Sequence, residues 1–111
     1  MQDSVDQLIG DVIVDAYGDD EQLLVFCQWF NDTGKFPFTS RVVGVEVQVI
    51  AIDYRGDDRR GLPAVCLRNG ERHSVSLLDI APADTTGPDT RRLIDAYCRW
   101  AHAQPLHSAN T

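Results

Sequence analysis

Arg41-Val42-Val43-Gly44-Val45-Glu46-Val47-Gln48-Val49-Ile50-Ala51-Ile52 is where the apolar spacing of the chain changes from helical to alternate. Val43, Val45, Val47, Val49 and Ala51 fall on one side of an extended chain. Gly44, Glu46, Gln48, Ile50 and Ile52 fall on the other. β-Branched residues at a period of two predict a strand, exposed on one face early and buried on both faces late. Downstream, Asp53 to Gly61 reads as a polar loop and Pro63 to Arg68 as a second strand. Asn69-Gly70 is a two-residue hairpin signal, because a type I′ turn needs positive φ at both places. Glu71 to Leu77 returns as a third strand, and Leu78-Asp79-Ile80 with Ala81-Pro82 reads as a short turn that closes a small barrel.

Helices flank these strands. Ser4-Val5-Asp6-Gln7 has the form of a capping box, and Leu8, Ile9, Val12 and Ile13 follow at helical spacing. Gly18 interrupts the pattern: Asp19 can cap a fresh helix, or one helix can run through at about 1 kcal/mol for the glycine. Leu23, Phe26, Cys27 and Phe30 then continue the stripe. Asn31-Asp32-Thr33-Gly34 ends it, Gly34 being suited to a left-handed stop. Phe36-Pro37-Phe38 is extended because of its proline. After a linker at 83–87, Pro88 suits the first turn of a last helix whose apolar side is Leu93, Ile94, Tyr97, Cys98, Trp100 and Ala101. The expected fold is α+β: a small SH3-like β-barrel over 39–82, flanked by a helical region at 4–32 and a C-terminal helix at 88–103. It forms a single domain over 1–104, with a tail at 105–111.

The 111 residues suffice for one domain, and 43% apolar with 24% charged residues is the balance of a globular chain. No run approaches the ~20 apolar residues of a membrane span. The acidic start, Met1 to Asp6, lacks the basic and then apolar character of a signal peptide. Cys27, Cys66 and Cys98 are spread as small apolar residues rather than as a disulfide framework, so a reducing, cytoplasmic location is expected.

Charge is unevenly distributed. Residues 1–34 hold eight acids and no Lys or Arg, whereas 35–111 hold ten bases against nine acids, and the net charge is −7. Such a field repels nucleic acid and anionic membrane, and attracts cations or basic protein surfaces. The alternative is a solubilising helix face.

Four stretches carry a family resemblance: Val14-Asp15-Ala16-Tyr17-Gly18-Asp19-Asp20-Glu21; Trp29-Phe30-Asn31-Asp32 leading to Phe36-Pro37-Phe38-Thr39; Val45 to Ile52 with Val75 to Ile80; and the last helix with Tyr97 and Trp100. Together they resemble the small acidic calcium-binding proteins first recognised in cyanobacteria and found across bacteria. The resemblance runs from about Val14 to Trp100. It implies an α/β fold with an SH3-like barrel and surface calcium sites that are not EF-hands. Two places depart from the family pattern. Asn31-Asp32 stands where relatives usually have Glu-Asp, and Arg55, Arg59 and Arg60 balance the acids of a loop that is acidic in relatives.

Calcium takes six to eight oxygen ligands, mostly carboxylates and carbonyls. No EF-hand loop is present: the twelfth position from Asp15 is Phe26, and from Asp53 it is Ala64. Asp15 and Asp19, four apart, would share a helical face, with Asp20 and Glu21 beside them and Asp11 a turn earlier. Clustered carboxylates repel one another, and a divalent cation relieves that repulsion. The expected ligands are Asp15, Asp19, Asp20 and Asp32, with Glu21 direct or water-mediated. Asp53, Asp57 and Asp58 form a second candidate. Binding would be weak, about tens of micromolar to millimolar. The competing reading is a metal-free interaction module whose acidic helix docks on a basic protein partner.

Other chemistry is poorly supported. Cys98 and His102 are spaced for a shared metal, with His107 nearby, but Cys98 lies on the apolar stripe. There is no phosphate loop or nucleophile elbow, and Arg59-Arg60 and Arg91-Arg92 are too isolated for a nucleic-acid track. The expectation is a calcium buffer or sensor rather than an enzyme.

Overall fold

Chain geometry at Gly18 decides the N-terminal third. α1 spans Ser4–Ile13 and α2 spans Asp19–Thr33. Between them Gly18 takes φ 86°, ψ 161°, which no helix accommodates, so the helices are separate. The cap of α2 is Gly18 itself, not Asp19. At the far end, Gly34 is extended (φ −66°) rather than left-handed. Its glycine is required by space: a Cβ there would stand 2.5 Å from the Phe30 carbonyl oxygen.

The computed structural model describes residues 4–54 and 61–103. The expected tail and most of the polar loop lie outside them. The strands are β1 (Phe38–Val42), β2 (Val45–Ile52), β3 (Pro63–Arg68), β4 (Glu71–Ser76) and β5 (Ala81–Pro82). A single 3₁₀ turn at Leu77–Asp79 precedes β5, and α3 spans Pro88–His102.

The stretch read as one strand from Val43 is in fact the inner half of a hairpin. Val42 pairs with Val45, and Val43 and Gly44 form a two-residue turn with φ 51° and 78°. The outer half, β1, begins at Phe38. Late burial on both faces also has a different cause. Val49 pairs with Cys66 and Ala51 with Val65, so Ile50 is an extra residue in a β-bulge. The bulge re-phases the strand, and Val47 and Val49 before it and Ile52 after it all reach the core.

The sheet is antiparallel with order β4-β3-β2-β1-β5. Among the described residues the sheet is not closed, because β4 and β5 lie at its opposite edges, so the expected SH3-like barrel is not confirmed. β5 has two residues, and its partners are Ser40 and Arg41 of β1.

The helices cover one face of this open sheet. Val47, Val49, Ile52, Ala64 and Cys66 share a core with Leu23, Phe26 and Phe30 of α2 and Leu93, Ile94, Tyr97 and Trp100 of α3. Aromatic rings form its centre, Phe26 lying 5.6 Å from Tyr97 and 5.2 Å from Trp100. Val12 completes it from α1. α1 is tied to α3 by a 3.0 Å ion pair between Asp6 and Arg99. No helix among the described residues is long and apolar enough to cross a membrane.

Candidate metal centre

The turn joining α1 to α2 holds the first group of acids. Within Val14-Asp15-Ala16-Tyr17-Gly18, Ala16 alone is buried. Its amide donates to the Ile13 carbonyl at 3.0 Å, which folds the chain back after α1. Anchoring this small residue turns its neighbours outward: Asp15, Tyr17 and Val14 are all exposed. Asp20 and Glu21, in the first turn of α2, are exposed beside them.

Glu21 is positioned by the backbone. The Tyr17 N–H donates to its Oε2 at 2.8 Å. With Gly18 as cap, Glu21 occupies the third helical position, from which a carboxylate reaches back over the helix start. This bond satisfies an amide that the helix cannot, and it holds the carboxylate against the turn. Among the described residues, no basic side chain comes within ion-pair reach of Asp15 or Glu21. Asp6, by contrast, is matched by Arg99.

A side chain that the sequence did not single out supports the turn from behind. The Gln22 Nε2 donates to the Ala16 carbonyl at 3.4 Å, and its Oε1 accepts from the Trp100 Nε1 at 2.8 Å. Nothing in the local sequence could reveal this, because the indole lies 78 residues away.

Asp32 and Asp53 belong elsewhere. Asp32 follows Asp20 by twelve positions along α2, about 18 Å at a 1.5 Å rise. The exposed Asp32 therefore shares no site with the turn acids. Asp53 follows β2 and accepts the Tyr54 N–H at 2.8 Å. It lies beside the second half of α2: burial raises the pKa of the Cys27 thiol, the Asp53 carboxylate raises it further, and Asn31 opposes both. Asn31 itself donates to the Cys27 carbonyl at 3.0 Å. Asp53 thus lies near Cys27, whereas Asp32 is exposed in the last turn of α2. Asp57, Asp58 and the Asp19 side chain lie outside the described residues.

Every acidic candidate offers oxygen, and the turn adds backbone carbonyls, so the donors suit a hard cation in kind. Among the described residues no three His, Cys, Asp or Glu side chains converge on one point. A cation held here takes few described side chains and completes its shell with carbonyl or water oxygens. The half-buried Cys98 and the exposed His102 gather no third ligand among the described residues either, and His107 lies outside them.

Comparison with known proteins agrees with this chemistry. The sequence model of the CcbP-type family, described as calcium-binding, matches residues 6–101. No curated protein sequence matches the chain significantly. Among solved structures, the crystal structure of Anabaena CcbP is similar, with a TM-score of 0.74 and 20% identity over 90% of this chain and 91% of that one. A calcium-binding protein in its calcium-binding form is equally similar, with a TM-score of 0.74 and 19% identity over 91% of each chain. At these identities the structures establish a shared fold, while the family match covers nearly all of the described residues. The chain belongs to the CcbP-type family of calcium-binding proteins.

Proposed function

We propose that the α1–α2 turn is a low-affinity surface site for calcium. Asp15, Asp19 and Asp20 supply carboxylate oxygens, and Glu21 contributes directly or through water. One observation carries this reading. The turn presents exposed carboxylates at Asp15, Asp20 and Glu21 in a part of the chain that contains no Lys or Arg before residue 35. Calcium offsets the mutual repulsion of these groups, and a shell completed by water gives a dissociation constant of about tens of micromolar to millimolar. Asp53, with Asp57 and Asp58, forms a second and separate candidate, and the exposed Asp32 at the end of α2 is a further oxygen donor.

Such affinity suits buffering, in which the ion is held and released without a tight complex. Three free cysteines, two of them buried, support residence in a reducing compartment such as the cytoplasm.

A second reading has its own support. Tyr17 is 80% exposed and Val14 71% exposed, both beside the turn acids. An exposed aromatic and an exposed aliphatic side chain in an acidic stretch of chain suit a basic, amphipathic segment of a partner protein.

NMR titration of metal-stripped protein with calcium, and with magnesium as control, separates these readings. Saturable shifts confined to residues 14–22 and stronger for calcium support the site. Diffuse shifts identical for both ions indicate charge screening alone and reject it, leaving the basic-partner reading. Asp15→Asn then tests whether this carboxylate is a ligand.

A further inference from the structure

We propose that Gln22 is a positioning residue that couples the α1–α2 turn to Trp100, so that a cation held at the turn is sensed inside the aromatic core. This rests on the reading of the turn as a calcium site.

The chemistry of the partners fixes the Gln22 amide. An indole N–H can only donate, so the amide oxygen must face Trp100. A backbone carbonyl can only accept, so the amide nitrogen must face Ala16. Both demands are met at once, at 2.8 Å and 3.4 Å. The side chain is half-buried, and both of its ends are tied to buried residues, Trp100 and Ala16.

The two bonds are unequal, and the inequality gives the coupling its direction. The bond to Trp100 is short and ends on a ring packed 5.2 Å from Phe26 and 6.0 Å from Tyr97. That end is held by the core. The bond to Ala16 is long and ends on the carbonyl that follows Asp15. Any rotation of this peptide when Asp15 or the turn carbonyls engage an ion alters the weaker bond first. The amide then transmits the change to the indole N–H, whose chemical shift is sensitive to its acceptor. Tyr17 and Glu21 hold the other side of the same peptide group through their 2.8 Å bond. The turn therefore moves as a unit with two restraints, Glu21 on its outer side and Gln22 on its inner side.

The experiment is a calcium chloride titration of the metal-stripped full chain, observed through backbone amides and indole N–H groups. The chain has two tryptophans, and Trp100→Phe assigns the indole signals. The expected result is a shift of the Trp100 indole along the same isotherm as the Ala16 and Tyr17 amides. In Gln22→Met the turn amides still titrate, with affinity reduced by up to about fivefold, the factor carried by one neutral hydrogen bond. The indole response disappears. Gln22→Glu keeps the acceptor for Trp100 but sets a carboxylate against the Ala16 carbonyl, so it too should silence the indole response. An indole that stays still while the wild-type turn amides titrate overturns the coupling and leaves the calcium site standing. An indole that responds equally in both Gln22 variants also overturns it. Turn amides that ignore calcium overturn the site and the coupling together.

Discussion

The hydroxyl oxygen of Tyr97, on α3, accepts the backbone N–H of Leu62 at 2.9 Å. Both residues are fully buried, so this bond replaces water at the point where the polar loop enters β3. Gly61 stands next to it with φ 69°, and a Cβ there would collide with the same hydroxyl. Tyr97→Phe leaves the Leu62 amide buried and unpaired, and is expected to destabilise the protein by about 1–3 kcal/mol. Gly61→Ala combines a left-handed backbone with a clash and should lower stability by at least as much. Urea denaturation of the three proteins checks both values, and an unchanged midpoint for Tyr97→Phe removes the bond from the account.

Alkaline pH should unfold the protein through the same core. Burial raises the pKa of Tyr97 and of Cys27, Cys66 and Cys98. Each group is neutral when protonated, so the native state holds its proton to higher pH than the unfolded chain does. The resulting stability is complete below the unfolded pKa values, about 8.5 for thiols and 10 for tyrosine. It is lost as pH rises through the folded values. Denaturation midpoints should not change through these groups between pH 6 and 8, and should fall steadily from about pH 9 upward. A midpoint that is flat to pH 11 would contradict this.

The same logic makes Cys27 a reporter for Asp53. After burial, the Asp53 carboxylate is the next cause raising that thiol's pKa. Asp53→Asn should therefore lower the Cys27 pKa, and calcium bound at Asp53 should lower it in the wild type. The Cβ chemical shift of Cys27 against pH, with and without calcium, reads both effects. A calcium-dependent change at Cys27 would place an ion at the second candidate. No change, with shifts at residues 14–22, would confine binding to the turn.

The helices were legible because their stripes are local. Leu23, Phe26, Cys27 and Phe30, and likewise Leu93, Ile94, Tyr97, Trp100 and Ala101, are buried as their spacing requires. Asn69-Gly70 was legible for the same reason, with φ 54° and 80°. The Val43-Gly44 hairpin was hidden because valine is a strand former and not a turn residue. The bulge at Ile50 was hidden because an unbroken run of apolar residues conceals a change of phase. At the candidate site, the acids were legible as a charge run. Their division between two places on the surface, and the support from Gln22, depend on chain reversals and on a distant helix.

Val43 yields a direct stability test. It is 95% exposed and held at φ 51°, where a β-branched side chain is strained, and its burial offers little in return. Val43→Asn or Val43→Gly should raise stability by about 1 kcal/mol, because both residues tolerate the left-handed region and suit the two-residue turn. Calcium affinity should be unchanged, since Val43 lies at the β1–β2 turn and not among the acids. A fall in the urea midpoint for both variants would show that Val43 makes a contribution beyond the turn.

Calcium should stabilise the native state by mass action, and the size of the effect measures the affinity. A ligand that binds only the folded chain adds RT ln(1 + [L]/Kd), about 1.4 kcal/mol at tenfold saturation and 2.7 at a hundredfold. For a dissociation constant of about 0.1 mM, within the expected range, 1–10 mM calcium spans those two values. The thermal midpoint should rise by several degrees, as about 1 kcal/mol shifts a domain of this size by 4–8 °C. Sodium chloride at matched ionic strength screens the acids without occupying them and should produce a smaller, unsaturable rise. Asp15→Asn relieves the repulsion that calcium offsets. It should raise the ion-free midpoint slightly while shrinking the calcium-dependent increment. This opposite movement of two quantities in one variant distinguishes ligands from bystanders, because a carboxylate outside the site changes the first and leaves the second intact.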